Sequence, residues 1–183
     1  MPHIELGNDL PGIMSLFAFR PETAGPLNEL AEVLLRGPST LSRGERELIA
    51  ARVSHLNGCY FCTHCHAAFA AAQLDEGMPL VDRVRSDPAC APVSDKLKAL
   101  LALAGAVQDG GRQVKDHHMD TARAAGATDT EIHDTVLIAA AFCMYNRYVD
   151  GLATIAPDRP SAYTEMAEWI AVHGYRAASQ PQA

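Results

Sequence analysis

The chain has 183 residues, enough for one domain with a substantial core and no need of a second. Its hydrophobic share of 48% is ordinary for a globular protein, and a formal net charge of −7 disfavours a nucleic-acid backbone or an anionic membrane as partner, since either calls for a basic face. No stretch reaches the roughly 20 apolar residues of a membrane span, and Met1 to Leu10 lack the basic start and apolar run of a signal peptide, so a cytoplasmic protein is expected.

Pro2, Pro11, Pro21 and Pro26 break up the first segment, which reads as an extended arm over residues 1–26 with a short helix near Ile13 to Phe19. A helix from about Leu27 to Leu35 follows, ended by Gly37-Pro38. Ser42 and Glu45 have capping-box spacing and predict a helix along which Ile49, Val53 and Leu56 recur, closed by Asn57-Gly58. Cys59 opens the next helix, which runs to about Leu74, before the Asp75-Glu76-Gly77 break; Cys90 falls in a loop after Asp87-Pro88. Leu97, Leu100, Leu101, Ala104 and Val107 mark an amphipathic helix that stops at Gly110-Gly111, and another runs from Val114 to Ala125. Thr128 and Glu131 form a second capping box, opening a long helix with Ile132, Val136, Ala139 and Cys143 on one face. Ser161 to Tyr175 makes the last helix. With alanine abundant and no strand alternation, the expected fold is all-α: a single-domain helical bundle over residues 27–176 with a flexible tail over 177–183.

Five cysteines, an odd number, argue against a structural disulfide framework. Cys59, Cys62 and Cys65 crowd into seven residues, which points to redox or metal chemistry. On a helix at about 100° per residue, taking Cys59 as zero, Cys62 projects at about −60°, His66 at about −20° and Phe69 at about −80°, all on one face. His66 is about 6 Å along the axis from Cys62 but about 10.5 Å from Cys59, so it assists Cys62 more directly. The thiolate is the reactive form, and an imidazole accepts the thiol proton or, once protonated, stabilises the charge. The helix dipole favours Cys59 and the histidine favours Cys62; directed proton transfer decides for Cys62. A hydroperoxide attacked by Cys62 would leave a sulfenic acid, which Cys59 can condense with to form a disulfide and water. Glu47, twelve residues before Cys59, is the natural carboxylate to orient the histidine across a tight helix–helix turn.

Other readings of the same residues stand beside this one. The C-x-x-C pair is half of many zinc sites, with Cys65 or His66 as a third ligand, but no second ligand pair follows downstream, and His117-His118 are adjacent. No metal is assigned, and no cofactor is called for. Cys65 projects away from the reactive face as a packing residue, and His55 and His133 read as surface or structural. Tyr60, Phe61 and Phe142 are candidate pocket walls, while Asn146 and Arg147 suit either a pocket or a subunit interface.

Glu47, Cys59, Cys62 and His66 reproduce the pattern E-x(11)-C-x-x-C-x-x-x-H, and the chain here resembles the alkylhydroperoxidase D-like, or carboxymuconolactone decarboxylase-like, superfamily. The string from Leu41 to Ala50 is similar to its peroxidase-related branch, as is the segment from Phe142 to Arg147. The resemblance implies an all-helical fold of the alkylhydroperoxidase D-like type, assembled as a homotrimer or homohexamer. It implies a peroxidase-type antioxidant oxidoreductase, with a hydroperoxide as substrate and a protein or small-molecule dithiol as reductant. Cys62 is then the peroxidatic thiol, Cys59 the resolving thiol, and His66 with Glu47 a proton relay. The chain departs from the family's characterised peroxidase at Phe61, where that enzyme has a further histidine. The alternatives are a non-enzymatic thiol redox sensor, a zinc-binding structural protein, and a lyase acting on lactones; the decarboxylase name belongs to members that lack the cysteine pair.

Overall fold

Two capping boxes start the two helices around which the others gather. Ser42 Oγ accepts the Glu45 N–H at 3.2 Å while the Ser42 N–H donates to Glu45 Oε2 at 2.8 Å. Thr128 and Glu131 repeat the exchange at 3.2 and 2.7 Å. Each box satisfies orphan donors of a helix start, so both starts are legible as local chemistry.

The computed structural model describes residues 1–178, and among them every regular element is helical. In chain order these are α1 (Ile13–Phe19), α2 (Pro21–Arg36), α3 (Arg43–Leu56), α4 (Tyr60–Ala71), α5 (Gly77–Ser86), α6 (Asp95–Asp109), a 3₁₀ turn (Gly111–Gln113), α7 (Asp116–Ala124), α8 (Asp129–Gly151) and α9 (Pro160–Ala177). The all-α expectation holds. None of these helices is long and apolar enough to cross a membrane.

The main differences from the sequence reading lie in α2, α4 and α5. α2 begins at Pro21 rather than Leu27: Pro21 sits at the first helical position, where a missing N–H is no loss, and Pro26 inside the helix gives up a single bond. α4 ends at Ala71, and the Asp75-Glu76-Gly77 break is a short turn into α5, which the sequence reading left without a helix. α5 exists because Leu80, Val81 and Val84 form one buried stripe. The tail expected over 177–183 lies, from residue 179 onward, outside the described residues.

α3 is the central helix, packed by α4, α6 and α8. Its Leu48, Ile49 and Val53 join Leu100, Leu101 and Leu103 of α6 and Ile138 of α8 in one core, each worth about 1.5–3 kcal/mol when buried. A helix enclosed on so many sides must also bury polar residues, and each needs partners. Arg46 Nη1 donates to the carbonyls of Leu34 and Gly37, both at 3.0 Å, tying α3 to the end of α2. Ser54 Oγ accepts from Asn146 Nδ2 of α8 at 3.1 Å. The third such residue is Glu47.

Candidate active site

The turn between α3 and α4 brings the cysteines to Glu47. Asn57 caps α3, Gly58 takes a left-handed φ of 73° that a side chain would resist, and the Cys59 N–H donates to the Ser54 carbonyl at 3.1 Å. The chain is thereby reversed, and α4 folds back along α3. Cys59 is the N-cap of α4, with extended backbone, and its carbonyl accepts the Thr63 N–H at 3.0 Å. The helical projection had placed it inside the helix; it lies one step outside, still beside Cys62.

All five cysteines are free thiols, and Cys59 and Cys62 are both buried. The Cys62 thiol beside it, then burial, and then the nearby Asp150 carboxyl, push the Cys59 thiol far above its ordinary value. Asp150, one turn beyond Asn146 on α8, was not singled out in the sequence reading. Cys65, fully enclosed, is also pushed well up, first by burial and then by the charges of Cys59 and Glu47, in keeping with a packing role.

His66 lies one turn after Cys62, and its Nδ1 is 2.7 Å from Glu47 Oε2, the contact the sequence left open. Glu47 has no exposed surface, and its other oxygen, Oε1, accepts the Tyr175 hydroxyl at 2.6 Å. With Nδ1–H donating to the carboxylate, Nε2 is the unprotonated nitrogen of the neutral ring. The imidazole is walled by aromatic rings: Phe142 edge-on with centroids at 4.5 Å, Phe69 edge-on at 5.1 Å, and Tyr175 near-parallel at 6.4 Å. Tyr175 is a site residue the sequence reading missed. No spacing rule links it to Glu47, 128 positions earlier.

Of the candidate pocket residues, Phe142 stands against His66. Phe61 is turned elsewhere, buried against Gly12 and the Tyr163 ring. Tyr60 is about half exposed and lies on His64, so it walls no enclosed pocket. Asn146 is almost fully buried in a hydrogen-bonded chain: it accepts from Asn57 Nδ2 at 2.7 Å and donates to Ser54, while Asn57 Oδ1 accepts from Gln108 at 3.0 Å. Both ends of its amide are used in joining α3 to α8. Asn57, Asn146, Arg147, Asp150 and Gly151 line an open depression, which Asp150 connects to Cys59. Among the described residues, no group of three or more His, Cys, Asp or Glu side chains is placed to hold a metal ion.

The sequence model of the carboxymuconolactone decarboxylase family matches residues 21–75 and 89–156. An uncharacterized peroxidase-related protein from Silicibacter sp. TM1040 superposes with a TM-score of 0.74 at 26% identity, covering 84% of this chain and 78% of that one. An uncharacterized peroxidase-related protein from Ralstonia eutropha JMP134, described as an alkylhydroperoxidase AhpD core, gives 0.76 at 23% identity, covering 86% and 81%. A protein of unknown function from Agrobacterium tumefaciens gives 0.68 at 23% identity, covering 79% and 97%. No curated protein sequence matches the chain.

Proposed function

This chain belongs to the carboxymuconolactone decarboxylase family, and on that premise we propose that it is a thiol-dependent hydroperoxidase working through a Cys59–Cys62 dithiol–disulfide cycle. The observation that carries the reading is the linked set at the head of α4. Two thiols are neighbours, and one turn after Cys62 stands a histidine whose Nδ1 is fixed on a buried carboxylate. The peroxidase-related description of the Silicibacter protein, an uncharacterized relative, agrees with it.

In the proposed cycle His66 Nε2 takes the Cys62 proton. The thiolate attacks the terminal oxygen of the hydroperoxide, an S–O bond forms, the O–O bond breaks, and the departing alkoxide takes the proton back from His66. Cys62 is left as a sulfenic acid. The Cys59 thiol attacks that sulfur; the S–S bond forms, the S–O bond breaks, and hydroxide leaves as water with the Cys59 proton. Two thiols are oxidised and one hydroperoxide is reduced to alcohol and water. Thiol–disulfide exchange with a dithiol reductant restores the pair. Asp150, on the solvent side of Cys59, is suited to receive that proton in transit. The working form in this reading is a homotrimer or homohexamer, as the resemblance implies.

The test follows loss of an alkyl hydroperoxide with excess dithiol in the wild type and in Cys62→Ser. Loss of turnover to the uncatalysed level is expected in the variant. Equal rates in the two would reject the mechanism.

A further inference from the structure

Tyr175 lies beyond the family-matched segments, which end at residue 156, yet it touches both members of the His66–Glu47 pair. How the chain brings it there starts at Gly174. α9 is regular until that residue, whose φ of 75° and ψ of 178° break the helix, a conformation natural only to glycine. A Cβ at this position would come within 2.6 Å of Glu32 Oε2 and 3.0 Å of Arg36 Nε. The break turns the Tyr175 N–H away from its helical acceptor, the Ala171 carbonyl, and onto Glu32 Oε2 at 2.7 Å. Arg36, ion-paired with Glu32 at 3.5 Å, takes the Ala171 carbonyl with Nη1 and Nη2 at 3.3 Å, and that of Ile170 with Nη1 at 3.1 Å. Two side chains of α2 thus hold the kinked end of α9, and the kink aims the phenol into the core.

The phenol is nearly buried. Burial first, and then the Glu47 carboxylate, push it well above its ordinary value, so it stays a donor throughout the working pH range. A glutamate's terminal torsion is broad, and one hydrogen bond leaves the carboxylate free to swing. A second donor on the opposite oxygen removes that freedom.

We propose that Tyr175 is the positioning residue of the relay: its hydroxyl pins Glu47 Oε1 so that Oε2 meets His66 Nδ1, which keeps Nε2 free for the Cys62 proton. The assignment rests on the reading of Cys62 as the reacting thiol, but not on the identity of the oxidant.

The experiment is the pH profile of Cys62 alkylation by iodoacetamide, read at that residue by mass spectrometry, in the full-length reduced protein. Wild type is compared with Tyr175→Phe and with Tyr163→Phe, which removes a phenol on the same helix that donates to the Pro157 carbonyl at 2.9 Å rather than to Glu47. In Y175F the profile moves to higher pH by about one unit, equivalent to about tenfold slower alkylation below the midpoint. In Y163F it stays in place. Added to Glu47→Gln, Y175F causes no further displacement, because the residue it positions is already gone. A Y175F profile that superposes on wild type, an equal displacement in Y163F, or an additive effect on the E47Q background overturns the proposal. Should the phenylalanine variant not fold, 3-fluorotyrosine at position 175, a stronger donor, moves the profile to lower pH; no movement overturns the proposal. A wild type that consumes no hydroperoxide while Y175F still displaces the profile supports the positioning role and removes only the peroxidase reading.

Discussion

Glu47 and Glu131 are both enclosed glutamates, 0% and 1% exposed, and both lie on helices opened by capping boxes, yet the groups that hold them differ. Glu131 accepts from Lys96 Nζ at 2.7 Å, the Thr40 hydroxyl at 2.8 Å and the Thr128 N–H at 2.7 Å. Burial alone would raise its carboxyl; these bonds outweigh that and lower it to about 2. Among the described residues, no lysine or arginine is hydrogen-bonded to Glu47. Its partners are the imidazole of His66 and the phenol of Tyr175. The carboxylate bonded to a lysine, a threonine and a backbone amide joins α8 to α6 and to the loop before α3. In the proposed cycle, the one bonded to an imidazole serves the proton relay.

Replacing each glutamate by its amide breaks the comparison most directly. In Glu47→Gln the amide turns its N–H₂ to His66 Nδ1, which reverses the tautomer and places the imidazole proton on Nε2, where it no longer accepts from Cys62. Reaction of Cys62 with hydroperoxide should slow by about 10²-fold, in stopped-flow measurements on protein whose melting is little changed. Glu131→Gln should do the reverse. Stability falls by about 2–3 kcal/mol in urea unfolding, from a lost charge-assisted bond and a poorly matched cap, while the Cys62 rate stays within about twofold. A large loss of rate in E131Q, or of stability alone in E47Q, would erase the distinction.

A smaller effect sharpens it on the acid side. Since the Glu131 carboxyl is lowered from its ordinary 4.5 to about 2 by folding, its stabilisation is complete above pH 4.5 and is lost as pH falls towards 2. The wild-type acid limb should therefore be steeper than that of E131Q between these values. Parallel limbs would show that Glu131 does not carry the linkage.

The parts of this site that were legible in the sequence are those built by neighbours. Glu47 lies on α3 and Cys59, Cys62 and His66 at the head of α4, joined by the Asn57-Gly58 turn, so their spacing put Glu47 within reach of His66, and the contact itself came from the structure. The capping boxes were legible for the same reason. Tyr175 was hidden because its place depends on how α9 packs against α2 and α4, and on the break at Gly174, which looks in sequence like any glycine near a helix end. Asn146 was half legible. Its position on α8 was right, but its burial between Asn57 and Ser54 is a tertiary fact. Pro21 and Pro26 misled because proline is read as a breaker, whereas at a first helical position it is a starter, and packing of α2 against α9 absorbs the one bond that Pro26 forgoes.

The division of labour between the two thiols is the centre of the account, and one measurement addresses it. Reduced Cys59→Ser is exposed to one equivalent of cumene hydroperoxide with a sulfenic-acid trapping reagent, and the adduct is located by mass spectrometry, with Cys62→Ser treated in parallel. The account predicts an adduct on Cys62 in the first protein and none on Cys59 in the second. An adduct on Cys59 formed as readily as on Cys62, or no adduct at Cys62 at all, would contradict it.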